Sequence, residues 1–489
     1  MTDPIMRMAK SFEDVGVRLR RLESADSFKP LVVNVQSKGA VGDGVADDTA
    51  AIQASIDIVA AQTTTQGGVV YFPRGVYRVA TSLVLPDLNY HSMSFVGEGR
   101  RTTRLYADPD TTILTLGVDD GNYNDYVAGT YGVGIYGVSL RIENLSFQGR
   151  WVAGGTDTSR GIVDWGGGNI SFQNVQFSAL NYCFWGINSD INSWYDVDVL
   201  YSNYGIVLER RSDQNQFNVC HFSTCKHALV FRNNTNCHVH NCTFVFNGDP
   251  YPDIDVSRDS TALGGDYAAA GHHAFSDNWH EIWWAAGPKD SFIDIGITGD
   301  GIVGECRIVR PYFLWDNPFV MLWRIRAGQT TGLFIDSPLF TQANFILIPL
   351  LWVSDESAIP MSQHIVIQSA WSRYGPAEDW VTLEAGSLAN VFVVLPEYGT
   401  YEAQDDKYAI TSSSPPRLVL RLLGDAVAQV DLGTRRLIYG AAAPILGAGT
   451  WVIGDIVLNT TPAAGGTIGW VCTAAGDPGT WKTWGAITA

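Results

Sequence analysis

Asp277 and Glu281 stand four residues apart in the most aromatic stretch of this 489-residue chain, with Trp279 between them and Trp283 and Trp284 just beyond. If this piece is helical, the spacing sets both carboxylates on one face. Burial against an indole raises a carboxyl pKa, which is what a general acid for glycosidic cleavage needs. A second carboxylate then serves as base or nucleophile, and the separation of the pair decides between inversion and retention. Glu305, Asp316 and Asp336 are further candidate acids; Trp315 and Trp323 join Trp279, Trp283 and Trp284 as flat faces on which a sugar ring can stack. For each acid taken singly, the plain alternative is a solvent-facing carboxylate. The cluster weighs more than any one member.

The densest polar cluster lies earlier, at Cys220, His221, Cys225, His227, Cys237, His238, His240 and Cys242, and in isolation it suggests zinc. No four of these residues follow the paired-cysteine, paired-histidine spacing of a zinc site. Cys220 and Cys242 are 22 apart at matching positions, as small buried residues would be, and His238 and His240 share a face opposite Val239. No metal site and no cofactor is expected. Asp43, Asp47 and Asp48 belong to a glycine-rich turn and the start of a helix, with Asp48 placed to cap it. Asp355-Glu356 and Asp405-Asp406 fit a solvated face.

Composition narrows the function classes. A net charge of −18 argues against a nucleic-acid partner and disfavours broad capture of polyanions, although a local basic cleft is compatible with it. Hydrophobic content of 46% excludes disorder, and no apolar run approaches the ~18 residues needed to span a bilayer. The first ten residues contain no secretory apolar core, so release by lysis or assembly into a particle is the expected route out of a cell. Seven cysteines, an odd count, read as reduced thiols of a chain folded in a cytoplasm.

The elements that must position the acids are short and repeated. Asn144-Leu145-Ser146-Phe147, Asn174-Val175-Gln176-Phe177, Asp196-Val197-Asp198-Val199, Asn218-Val219-Cys220-His221-Phe222 and Asn241-Cys242-Thr243-Phe244 share a polar turn residue followed by inward apolar residues. From Asn174 the turn residues step by 22, 22 and 23, and Tyr182, Tyr204 and His227 follow in a second register. Such a period with β-type apolar runs is the mark of a solenoid whose coils stack about 4.8 Å apart. Asn174, Asp196, Asn218 and Asn241 are expected to form a side-chain ladder inside one bend, which makes the Asp196 carboxylate structural. An insertion near 248–300 interrupts the repeat.

The ends read differently. Within residues 1–24, Ile5, Met8, Phe12, Val15, Leu19 and Leu22 are spaced 3, 4, 3, 4, 3, a heptad seam too short to stand alone and therefore packed with copies of itself. An amphipathic helix lying on its own domain is the alternative. Residues 446–489 form a small β unit whose Trp451, Trp470, Trp481 and Trp484 are expected mainly as its core, with sugar binding as the alternative.

The opening of the solenoid carries a resemblance. Gly42-Asp43-Gly44, then Asp47-Asp48-Thr49 before a helix with Ile52, Ile56 and Val59 on one face, then Gly67-Gly68 and a strand, then Pro73-Arg74-Gly75-Val76-Tyr77, resembles the start of pectate-lyase-superfamily proteins, including many phage tailspikes. The resemblance covers roughly residues 30–100. It implies an all-β, right-handed parallel β-helix over 25–435, with a capping helix. It also implies a homotrimer attached by its N-terminus to a phage tail or baseplate protein, located in the virion tail, acting on a bacterial surface polysaccharide. The C-terminal unit resembles a Trp/Gly-rich module appended to phage tail proteins. The Asn-Thr-Asp, Gly-His-Gly and Arg-x-Lys elements of polygalacturonase-type hydrolases are missing, as is the calcium-acid ladder of pectate lyases. Hydrolysis by paired carboxylates is the expected reaction; a lyase, or a glycan-binding tail protein that does not cut, is the alternative.

Overall fold

The computed structural model describes residues 31–61, 67–85, 92–117, 139–166, 168–210, 212–247, 252–257, 272–282 and 291–295, and, further on, 306–315, 321–325, 332–336, 339–342, 351–353, 364–368, 371–372, 381–383, 390–395, 410–412, 419–422, 430–431, 436–445 and 451–488. The heptad segment 1–24 lies outside the described residues, as do parts of the 248–300 insertion.

A helix, Thr49–Ala60, closes the start of the solenoid by burying Ile52, Ile56 and Val59 as their spacing predicts. Its capping departs from expectation. Asp48 makes no side-chain bond to the helix; its carboxylate accepts from the Val41 and Gly42 amides and so ties down the glycine turn. Asp47 accepts from the Thr49 amide and hydroxyl instead, and those bonds hold its carboxyl below the usual range. The glycines are sterically required: a Cβ on Gly42, at φ +72°, would stand 2.9 Å from the Tyr77 ring, and one on Gly75 would stand 2.8 Å from the Gly42 carbonyl oxygen.

Beyond the cap, the chain winds as a right-handed parallel β-helix. Its described strands form one 24-stranded and one 12-stranded parallel sheet, so no coil buries its core without the coils above and below. Inward residues repeat in columns: Val175 pairs with Val197, and Cys220 and Cys242 continue that column, all four buried. Phe222, Phe244, His280 and Phe313 stack in a neighbouring column at 4.9–5.0 Å.

The corners correct one expectation. Residues in the left-handed region recur at Asn144, Asn174, Asp196, Val219, Asn241, Asp277 and Arg310, so Val219, and not Asn218, makes the bend in its coil. These corners do not form one internal ladder: Asn174 Nδ2 donates to Asn144 Oδ1 at 2.7 Å, whereas Asp196 pairs with Arg100. The buried ladders lie one residue behind or on other bends. Asn192 Oδ1 accepts from Ile170 N, Asn215 Oδ1 from Asn192 N, and His273 Nδ1 from Cys237 N. Asn278 Oδ1 accepts from Cys242 N and Asn247 Oδ1 from Cys225 N, both at 2.9 Å. Each satisfies an amide that the bend leaves without a strand partner.

A separate five-stranded sheet takes in Val430–Asp431, Arg436–Gly440, Ile456–Asn459, Thr467–Ala474 and Thr480–Ala486. Of its four tryptophans, Trp451 is buried and meets Trp481 edge-on, whereas Trp484 is exposed. Among the described residues no helix is long and apolar enough to cross a membrane.

Candidate functional site

The outer face of the long sheet collects the polar side chains that the repeat leaves pointing outward. Two residues past the left-handed corners from Asn174 to Arg310 lies an outward position flanked by buried ones, and its occupants pair in register coil after coil: Gln176, Asp198, His221, Thr243, Trp279, Tyr312. This band holds two clusters.

In the first, Arg100 reaches across from the early coils. Its Nη1 meets Asp196 Oδ1 at 3.0 Å and its Nε lies 3.5 Å from Asp198 Oδ2. Burial lifts the Asp198 carboxyl above its ordinary value, against the pull of Arg100 and of His221 on the next coil.

The second cluster contains the acids singled out by sequence. Asp277 and Glu281 are not on a helix: Asp277 occupies a left-handed corner at φ 55° and Glu281 lies in the strand Trp279–Ile282. The strand pairs Glu281 with Trp279, because the two are two residues apart and share its outer face, while Asp277 stays at the corner before it. Trp279 Nε1 donates to Glu281 Oε2 at 3.0 Å, and the indole stacks on Tyr312 at 4.0 Å between ring centroids. Asp277 is clasped by Arg310, whose Nε and Nη2 donate to its two oxygens at 2.7 and 2.8 Å. That clasp raises the pKa of Arg310, with Asp336 contributing. His240 Nδ1 lies 2.9 Å from Ser276 Oγ and 3.5 Å from Asp277 Oδ2. Asp336 closes the strand Gly332–Asp336, and its backbone carbonyl accepts from Arg310 N at 2.7 Å, which brings it to the same corner.

The remaining candidates divide. Trp323 lies in Met321–Ile325 of the 12-stranded sheet, paired with Ile293 and Leu351, and so falls on another side of the solenoid from Trp279. Trp315 ends the strand Tyr312–Trp315, opposite Ile282. Trp283, Trp284, Glu305 and Asp316 lie outside the described residues. All seven cysteines are buried free thiols, and Cys220 N donates to Cys242 Sγ at 3.4 Å in the expected stack.

Sequence reasoning did not single out Asp198, His221, His240, Arg310 or Tyr312 as a band. The signal was present in the repeat. Asp277-Asn278-Trp279-His280 and Arg310-Pro311-Tyr312-Phe313 copy the turn-in-out-in layout of Asn241-Cys242-Thr243-Phe244. Polar Asn278 and His280 at inward positions hid it; both are buried, and His280 Nδ1 lies 2.8 Å from buried Asp253 Oδ2.

Comparison with known proteins follows the fold. Residues 32–249 match the model of a family described as rhamnogalacturonase A/epimerase, pectate lyase-like. The chain is 32% identical over 155 residues to mannuronan C5-epimerase AlgE1 of Azotobacter vinelandii, a stretch that is 30% of this chain and 10% of that protein. It thus spans only a small part of that relative. Similar solved structures include the A-module of mannuronan C-5 epimerase AlgE6 from the same organism (TM-score 0.48, 15% identity, 80% of this chain and 96% of that one). Another is ORF18 of Geobacillus virus E2 (TM-score 0.38, 15% identity, 98% of this chain and 80% of that one). Over residues 32–249, then, the chain carries a pectate-lyase-like domain.

Proposed function

We propose that the chain acts on a bacterial surface polysaccharide laid along the outer face of its long sheet and cleaves it by hydrolysis, as a tailspike of phage type. The observation that carries this reading is the exposed Trp279, stacked on Tyr312 and holding Glu281 through its indole N–H. A flat apolar ring beside a carboxyl group is what orienting a sugar and protonating its glycosidic oxygen require. Glu281 is the proton donor. Asp277, clasped by a guanidinium, suits the charge-bearing role beside His240 and not that of the acid. Arg100 and Arg310 are already engaged by acids of this chain, which favours a neutral sugar at the band over a dense polyanion. The family description and the epimerase relatives, whose names concern polysaccharides, support glycan chemistry in general.

A second reading draws on His240, oriented by Ser276 and Asp277: a base able to take a proton from a sugar carbon, as a lyase or epimerase would. Purified protein incubated with a panel of capsular polysaccharides separates the readings. Hydrolysis gives new reducing ends; a lyase gives unsaturated uronates; an epimerase takes up deuterium from heavy water without shortening the polymer. We expect reducing ends, and we expect Glu281→Gln to abolish them while leaving glycan binding intact. Full activity in that variant would exclude Glu281 as the acid. The homotrimer, the attachment to a tail or baseplate protein and the virion location belong to the same proposal and rest on the heptad seam and the tailspike resemblance.

A further inference from the structure

Flat side chains in adjacent coils of this solenoid stack face to face. Tyr182 lies on Tyr204 at 4.4 Å and Tyr204 on His227 at 4.3 Å between centroids, with planes within 8° of parallel. Trp279 lies on Tyr312 at 4.0 Å. One coil of rise, about 4.8 Å, is therefore close to one ring of thickness.

The outward row breaks this pattern at one place. His221 pairs with Thr243, and Thr243 pairs with Trp279, so two ring-bearing side chains stand two coils apart with a small hydroxyl residue between them. Two coils amount to about 9.6 Å, room for a single ring between the walls. Trp279 has given one face to Tyr312; the other looks back across Thr243, and the indole is 37% exposed. The edge of the same indole holds Glu281, which places a carboxyl group at the rim of the gap.

We infer that Thr243 floors a slot for one sugar ring of a polysaccharide, walled by the free face of Trp279 on one side and by His221 on the other. The inference deepens the proposed function and rests on it. The apolar C–H face of a pyranose lies on the indole, and its hydroxyls meet the Thr243 hydroxyl, the His221 imidazole and Glu281. The slot is lined at its floor by the only non-aromatic residue between His221 and Tyr312 in this row, so its width is set by what residue 243 is.

The test fills the slot from within. A tyrosine at 243 would complete the run of stacked rings from His221 to Tyr312, occupying the place of the sugar with little disturbance to the buried columns. Affinity electrophoresis of the full chain is run through gels containing purified capsular polysaccharides, a neutral glucan or mannuronan, alongside thermal unfolding. We expect wild type to be retarded. We expect Thr243→Tyr and Trp279→Ala to lose at least ten-fold in affinity, with Thr243→Tyr unfolding at an equal or higher temperature than wild type. Wild type and Thr243→Tyr retarded equally would overturn the slot and leave the proposed function standing. A wild-type chain retarded by none of the glycans would overturn the function on which the slot depends.

Discussion

His273 occupies a column of buried bends that asparagines fill elsewhere, and its Nδ1 must stay unprotonated to accept the Cys237 amide. Burial, reinforced by neighbouring His272, pushes its pKa down to about 3. The unfolded chain carries the ordinary value of 6.5 and binds a proton that the folded chain refuses, so stability falls as pH drops from 6.5 toward about 3. At pH 5 the cost is about 2 kcal/mol from this residue. Asparagine keeps an acceptor for Cys237, as Asn215 does for Asn192. His273→Asn should therefore lessen the loss of stability between pH 7.5 and pH 5 by about 2 kcal/mol in urea unfolding; an unchanged difference would show that His273 does not titrate on unfolding. At the same scale, Asp277 and Glu281 show how partners divide two acids of similar sequence context. One is given to a guanidinium and the other to an indole.

The corner is the element that repeats most faithfully, and it is a backbone property before it is a side-chain one. Asparagine and aspartate enter the left-handed region at low cost, whereas a β-branched residue there carries strain of about 1–2 kcal/mol. Val219 sits at such a corner at φ 58° with its side chain 41% exposed, so little packing is lost on replacing it. Val219→Asn should stabilise the chain by about 1 kcal/mol, measured as a higher urea midpoint at unchanged slope. The same corner explains what was legible in the sequence. Coils, inward columns and the capping helix follow from apolar spacing and could be read directly. The misplaced Asn218 could not, because a valine took the asparagine's conformational role and the polar marker slid one residue away. The site was half legible for a related reason. Composition flags Asp277, Trp279 and Glu281, but the spacing of four that suits a helical turn spans a corner and a strand, so Glu281 shares its face with Trp279 while Asp277 is held by Arg310. Arg100, Asp198 and His221 stayed hidden because register, and not sequence nearness, brings them together.

At the scale of the whole chain, each coil pairs with its two neighbours, so stability accumulates by local interfaces and both ends need closing. The helix Thr49–Ala60 closes one. The proposed trimer adds contacts along the length and an axis from the heptad segment. Light scattering after gel filtration should give three times the 53.4 kDa chain mass, and removal of residues 1–24 should shift that mass toward the single chain; a monomer at full length would remove the stalk from the proposal.

Coil lengths vary, with Cys220 and Cys242 separated by 22 residues and Cys242 and Asn278 by 36, yet each pair spans one coil. Whatever the coil length, the interval between successive outward side chains stays fixed by strand pairing. The band is thus a ruler with constant graduations. A polymer whose own repeat is commensurate with those graduations would set each of its units opposite one outward side chain, and one of another pitch would drift out of phase within a few units, so selectivity can reside in periodicity before any single bond is made.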